Sequence, residues 1–98
     1  MTFSVRFHPD ADAEISEAAA FLDLESSGLG VIFLDDLDHA IEVIASHPEA
    51  APILRGRLRR KMLRKFPYSI IYSIVGEEIR ILAVGHQRRR PFYWRSRS

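Results

Sequence analysis

Tyr68-Ser-Ile-Ile-Tyr-Ser-Ile-Val75 is rich in aromatic and β-branched residues and predicts a central strand. Gly76-Glu77 can turn the chain, and Ile79 to Gly85 is apolar enough to form a second central strand beside it. Upstream, Leu58 to Phe66 alternates imperfectly between cations and apolar residues, and Phe3-Ser-Val-Arg-Phe7 alternates as a half-buried strand does. Two helical stripes lie between the first strand and the rest. Ala11, Ile15, Ala18, Ala19 and Leu22 recur at spacings of three and four and predict a helix over about 10–26. Pro9 suits its first turn, while Asp10, Asp12 and Glu14 suit the positive end of its dipole. Phe33, Leu34, Leu37, Ala40, Ile41 and Ile44 predict a second helix over about 30–46, with Gly28 as a left-handed residue between the two. Pro48 ends that helix, and 47–56 reads as a loop. The order β-α-α-β-β-β implies an α+β fold, with a helical hairpin packed on one face of a largely antiparallel four-stranded sheet. Residues 1–98 are expected to form a single domain.

Composition narrows the function. The 47% hydrophobic and 28% charged residues suit one globule with one modest core. The absence of cysteine excludes disulfides, thiolate catalysis and cysteine-ligated metals. No apolar run approaches the roughly 20 residues that span a bilayer, so a cytoplasmic protein without a membrane partner is expected. The net charge of +1 hides a division. Residues 1–54 carry eleven acids and one base, whereas 55–98 carry thirteen bases and two acids. Clustered cations raise the local potential by several kT and favour an anionic partner. Charge pairing between the halves is the plainer alternative, although exposed pairs stabilise by only about 0–1 kcal/mol each.

With helices on one side of the sheet, the other side is free for function. Period-two geometry puts Arg59, Lys61, Leu63 and Lys65 together, and the larger share of cations assigns this set to the free face. A slip of one residue would exchange it for Leu58, Arg60, Met62 and Arg64. Cations that guard an edge strand are the plainer account. The strongest local signal is Val84-Gly-His-Gln-Arg-Arg-Arg-Pro-Phe-Tyr-Trp94. It joins phosphate-binding charge to stacking rings, as single-stranded nucleic acid requires. A Tyr-Trp pair that packs onto the core is the alternative. His86 is the histidine nearest these cations and able to exchange a proton near neutral pH, unless it is simply a hydrogen-bonded strand end. Scattered His8, His39 and His47 lack ligand spacing, and Asp35, Asp36 and Asp38 point in different directions on a helix. No metal site, cofactor, phosphate-binding loop or dinucleotide fingerprint is expected.

The strand order, Ile44-Ala-Ser-His-Pro48, Phe66-Pro-Tyr-Ser-Ile-Ile-Tyr72 and the ending Val84 to Trp94 together resemble the RelE/ParE superfamily of type II toxin–antitoxin toxins. The resemblance implies a growth-inhibiting toxin held silent by a cognate antitoxin, with a toxin–antitoxin hetero-oligomer as one arrangement. RelE-like members cleave mRNA on the ribosome with basic residues and a C-terminal tyrosine, which Tyr93 resembles. By that resemblance, His86, Arg88 and Tyr93 are catalytic candidates, while Arg59, Lys61, Arg89, Arg90 and Trp94 are target-binding candidates. Ser69 and Gln87 stand where RelE-like arginines are expected. ParE-like members block DNA gyrase without catalysis, and the two long helices look more like that branch. An endoribonuclease and a gyrase inhibitor therefore both remain open. So does a non-toxic relative acting as an antitoxin-binding or DNA-regulatory module.

Overall fold

Both stripes form helices in the computed structural model, which describes residues 3–97. After β1 (Ser4–Phe7) come α1 (Pro9–Glu25) and α2 (Leu29–Ser46). β2 (Ile53–Arg55), β3 (Leu58–Met62), β4 (Tyr68–Val75) and β5 (Glu78–His86) follow. The His8 ring opens α1 by accepting the Asp10 N–H at 3.0 Å through Nδ1. Gly28, at φ 89°, reverses the chain between the helices, a conformation that is least costly for glycine. Gly30 then closes the hairpin. Its N–H donates to Asp23 Oδ1 at 2.8 Å, and a Cβ there would stand 2.6 Å from the Ala19 carbonyl oxygen.

The sheet runs β1-β5-β4-β3-β2. The helical hairpin returns the chain so that β1 lies parallel to β5, while every other pairing is antiparallel. Five strands replace the expected four. Ile53–Arg55 falls inside the expected loop because Pro52 and Gly56 bracket it closely, yet three residues suffice to pair with β3. Arg60 N–H adds a bond to the Pro52 carbonyl at 3.1 Å.

The main core lies between hairpin and sheet. Phe33 and Ile44 of α2 meet Ile70, Tyr72, Ile79, Ile81 and Val84 of the central strands, all fully buried. Phe33 stands edge-on to Phe66 and Tyr68, at centroid distances of 5.5 and 5.0 Å. The buried Tyr72 hydroxyl donates to the Pro48 carbonyl at 2.6 Å, tying the end of α2 to the sheet. Among the described residues, no helix is long and apolar enough to cross a membrane.

The register of β3 corrects the assignment of Arg59 and Lys61 to the free face. Arg59 pairs with Tyr72 and Lys61 with Ile70, so both share the helix side with those core residues. Leu63, of the same parity, is only 6% exposed within that core. Its burial outweighs the count of cations, because long charged side chains can run over apolar surface and keep their heads at the rim. The Arg59 guanidinium donates to the carbonyls of Glu49 and Ala51 at 2.9 and 2.7 Å and shapes the loop after α2. Asp36, one of the three acids close together on α2, also faces inward. It is buried and accepts the Lys65 N–H at 2.8 Å.

Candidate functional site

The sheet face away from the helices displays Leu58, Arg60 and Met62 of β3, Ser69 and Ile71 of β4, and Ala83 and Gly85 of β5. The C-terminal segment folds back over it. Arg89 N–H bonds the His86 carbonyl at 2.9 Å and Arg88 N–H bonds His86 Nδ1 at 3.0 Å, so the chain turns as soon as β5 ends. Successive turns then carry it through Phe92, a non-glycine residue at φ 59°. That unusual conformation brings Phe92, Tyr93 and Trp94 into a second small core with Ile71 and Ala83, where Trp94 is 5% exposed. Small residues at 83 and 85 make the space. A Cβ at Gly85 would overlap the Tyr93 hydroxyl.

An ion-pair cluster pins this segment. Glu14 accepts both terminal nitrogens of Arg97, at 2.8 and 3.1 Å, and Arg89 Nη1 at 3.3 Å. It also accepts the Val84 N–H at 3.0 Å, while Arg97 donates to the Leu82 carbonyl at 3.0 Å. β1 pairs with β5 only over residues 78–81. Glu14 and Arg97 therefore satisfy backbone groups of β5 beyond the reach of β1. Asp10 Oδ2 approaches Arg97 at 3.5 Å. The two acids lie four residues apart on one helix face, a spacing readable in the sequence as a possible arginine seat, though not as the seat of Arg97.

A recess results, bounded by Arg60, Ser69, His86, Gln87, Arg90 and Phe92. Of the residues singled out in the sequence, His86, Arg89, Arg90, Tyr93 and Trp94 meet there. Arg88 is exposed and not among the residues lining the recess, and Arg59 and Lys61 lie on the helix side. Arg60 also lines the recess and Glu14 pins the segment beside it, neither having been a candidate, and Ser69, noted in the sequence only as a departure, lines it too. For Arg60, the alternative strand register was the available signal.

The chemistry available is limited by how Tyr93 sits. Its hydroxyl is buried beside the Glu14 carboxylate, but no hydrogen bond of good geometry reaches it among the described residues. Burial first, and the neighbouring Glu14 carboxylate second, hold the phenol up to about 12. The Arg89 guanidinium covers the ring at 4.0 Å, and Arg97 stands 5.2 Å from its centroid. The phenol therefore stays protonated near neutral pH, and at least one ring face is occupied by an arginine. His86 packs edge-on to Tyr68 at 5.2 Å and uses Nδ1 as an acceptor, so a neutral ring carries its proton on Nε2. Arg60 and Arg90, both exposed, supply charge at the rim.

Solved structures share this fold, among them three from toxin–antitoxin systems. The chain is 16% identical to the chromosomal ParDE toxin–antitoxin system from P. aeruginosa, covering 87% of this chain and 96% of that one, with a TM-score of 0.77. It is 18% identical to the RelBE2 toxin–antitoxin complex from Mycobacterium tuberculosis, over 88% and 99% of the two chains, with a TM-score of 0.63. A mutant of the E. coli toxin RelE in the free state is also 18% identical, over 95% and 92%, with a TM-score of 0.67. No curated protein sequence matches significantly. The family described as the ParE toxin of the type II toxin–antitoxin system parDE matches residues 5–91, a span reaching from β1 through the Arg88–Arg90 run. The chain thus belongs to the ParE toxin family of type II toxin–antitoxin systems.

Proposed function

We propose that this toxin arrests growth in the cytoplasm by binding DNA gyrase without chemistry, and that a cognate antitoxin neutralises it by covering the same basic face. The buried hydroxyl of Tyr93, under the Arg89 guanidinium, carries this reading. Metal-independent RNA cleavage by His86, Arg88 and Tyr93 would need all three to approach one phosphate and its 2′-hydroxyl. Tyr93 instead packs against Gly85 under Arg89, and Arg88 lies outside the recess. What remains accessible is a shallow surface with rim cations, suited to protein recognition. The match to the parDE toxin family supports the same branch. The reading calls for no cofactor.

Tyr93→Phe separates the branches. Removing an unpaired buried hydroxyl is expected to change stability by less than about 1 kcal/mol, or to raise it slightly, in urea unfolding. Growth arrest on induction is expected to persist in this variant. Purified toxin is expected to inhibit supercoiling by gyrase, while mapped mRNA ends show no new cleavage. Cut messages, together with a Tyr93→Phe toxin that no longer arrests growth, would establish the ribonuclease instead. Normal growth at confirmed high expression, with tight binding to an antitoxin, would favour the non-toxic binding module.

A further inference from the structure

A second recess lies on the free face, across the ridge formed by Phe92 and Trp94 from the one described above. Arg55, Arg57, Arg95 and Arg97 surround it, over a floor that includes Leu58 and Leu82. Strand register explains the gathering. Leu58 pairs with Ser73, so the β2–β3 turn carrying Arg55 and Arg57 lies at the same sheet end as the β4–β5 turn, and the C-terminal segment brings Arg95 beside it. Arg97 is committed to Glu14 and the Leu82 carbonyl. Arg55, Arg57 and Arg95 are exposed, and none has a carboxylate within ion-pair distance among the described residues.

The geometry points to Arg55, Arg57 and Arg95 as a clamp for the phosphate backbone of duplex DNA. Three features select that occupant. Protein partners gain most affinity from anchors seated in desolvated pockets, but here Trp94 and Leu82 already fill the floor. Single strands gain from stacking on aromatic faces, but Phe92 lies under Arg55 at 5.4 Å and Trp94 is buried. Unpaired guanidinium groups remain, and these bind phosphates regardless of base sequence. The choice of DNA over another duplex rests on the gyrase reading, since that target holds duplex DNA. The clamp would let the toxin grip the enzyme and its DNA together.

The test is fluorescence anisotropy of a labelled mixed-sequence DNA duplex with purified toxin and no gyrase, across a salt series. Each phosphate contact contributes about 0.9 to the slope of log affinity against log salt, so three contacts give a slope near −2.7. Arg57→Ala/Arg95→Ala is expected to make the slope shallower by about 1.8. Arg55 is left in place there because it packs on Phe92. Arg64→Ala/Lys65→Ala removes as much charge outside the recess and is expected to leave the slope unchanged. An unchanged thermal midpoint verifies that each variant is folded. The proposal is overturned by equal losses in both variants, by tighter binding of single-stranded DNA or duplex RNA, or by binding of a polyglutamate peptide with none of the duplex. A supercoiling assay run in parallel keeps the two readings apart. Gyrase inhibition without DNA binding removes the clamp alone, whereas DNA binding without gyrase inhibition removes the target alone.

Discussion

Glu14→Ala is expected to lower unfolding free energy by about 3–5 kcal/mol, measured by urea denaturation. The size follows from what the carboxylate holds. Its side chain is 9% exposed and that of Arg97 is 12% exposed, so deletion leaves a poorly solvated guanidinium without its main counter-charge. Val84 N–H loses its acceptor as well, a buried donor whose desolvation costs about 1–3 kcal/mol when unpaired. Stability of a domain this size is only about 5–15 kcal/mol, so the variant should be visibly weakened. Loss is expected to begin in the C-terminal segment, with trypsin cleaving the Arg88–Arg90 run faster than in the wild type. Exposed pairs behave differently. Glu78, which Arg80 bonds at 2.7 Å and thereby holds below the usual carboxylate range, is expected to tolerate alanine with little change in the urea midpoint. The double variant Glu14→Leu/Arg97→Met removes both charges and is expected to recover most of the loss. If Glu14→Ala unfolds at the wild-type urea midpoint, the cluster does not pin the segment.

Glu14 also marks where the sequence was legible and where it was not. Helices and central strands were readable, the helices from spacings of three and four over Ala11 to Ile44 and the strand Tyr68 to Val75 from its aromatic and β-branched composition. β2 escaped because three residues between a proline and a glycine give no period at all. The facing of β3 escaped for a different reason. Both of its parities carry cations, so only Leu63, deciding through tertiary burial, reveals which one faces the helices. The C-terminal motif was visible as composition, but the packing of its rings on β4 and β5 was not. That outcome depends on space over Ala83 and Gly85 and on a partner 83 residues away, at Glu14. Local pattern carries no information about such a partner.

The Gly85 position shows how narrowly that face is built, and Gly85→Ala should dismantle it while sparing the main core. The backbone itself accepts alanine, since Gly85 pairs with Ser69 as an ordinary strand residue and is not among the positive-φ glycines. The obstacle is the Tyr93 ring. A Cβ would stand 3.0 Å from Cζ and 3.2 Å from Cε1, and closer still to the hydroxyl. The ring has little freedom to retreat, with Arg89 on one face and Trp94 next in the chain buried against Ile71 and Ala83. Overpacking of this kind costs about 1–3 kcal/mol. Converted at 1.4 kcal/mol per tenfold, that is a loss of roughly 5- to 150-fold in the equilibrium for the docked segment. Phe33, Ile70 and Tyr72 pack on the opposite face and should hold, so far-UV dichroism stays as in the wild type. Trp94 fluorescence should shift toward that of an exposed indole, trypsin should reach the Arg88–Arg90 run, and growth arrest should weaken. Gly85→Ala/Tyr93→Phe removes the nearest overlap and is expected to restore part of the Trp94 signal and of the toxicity together. Were Gly85→Ala to keep both unchanged, the packing of Tyr93 on β5 could not be what shapes the recess, and its sealed phenol would no longer argue against catalysis.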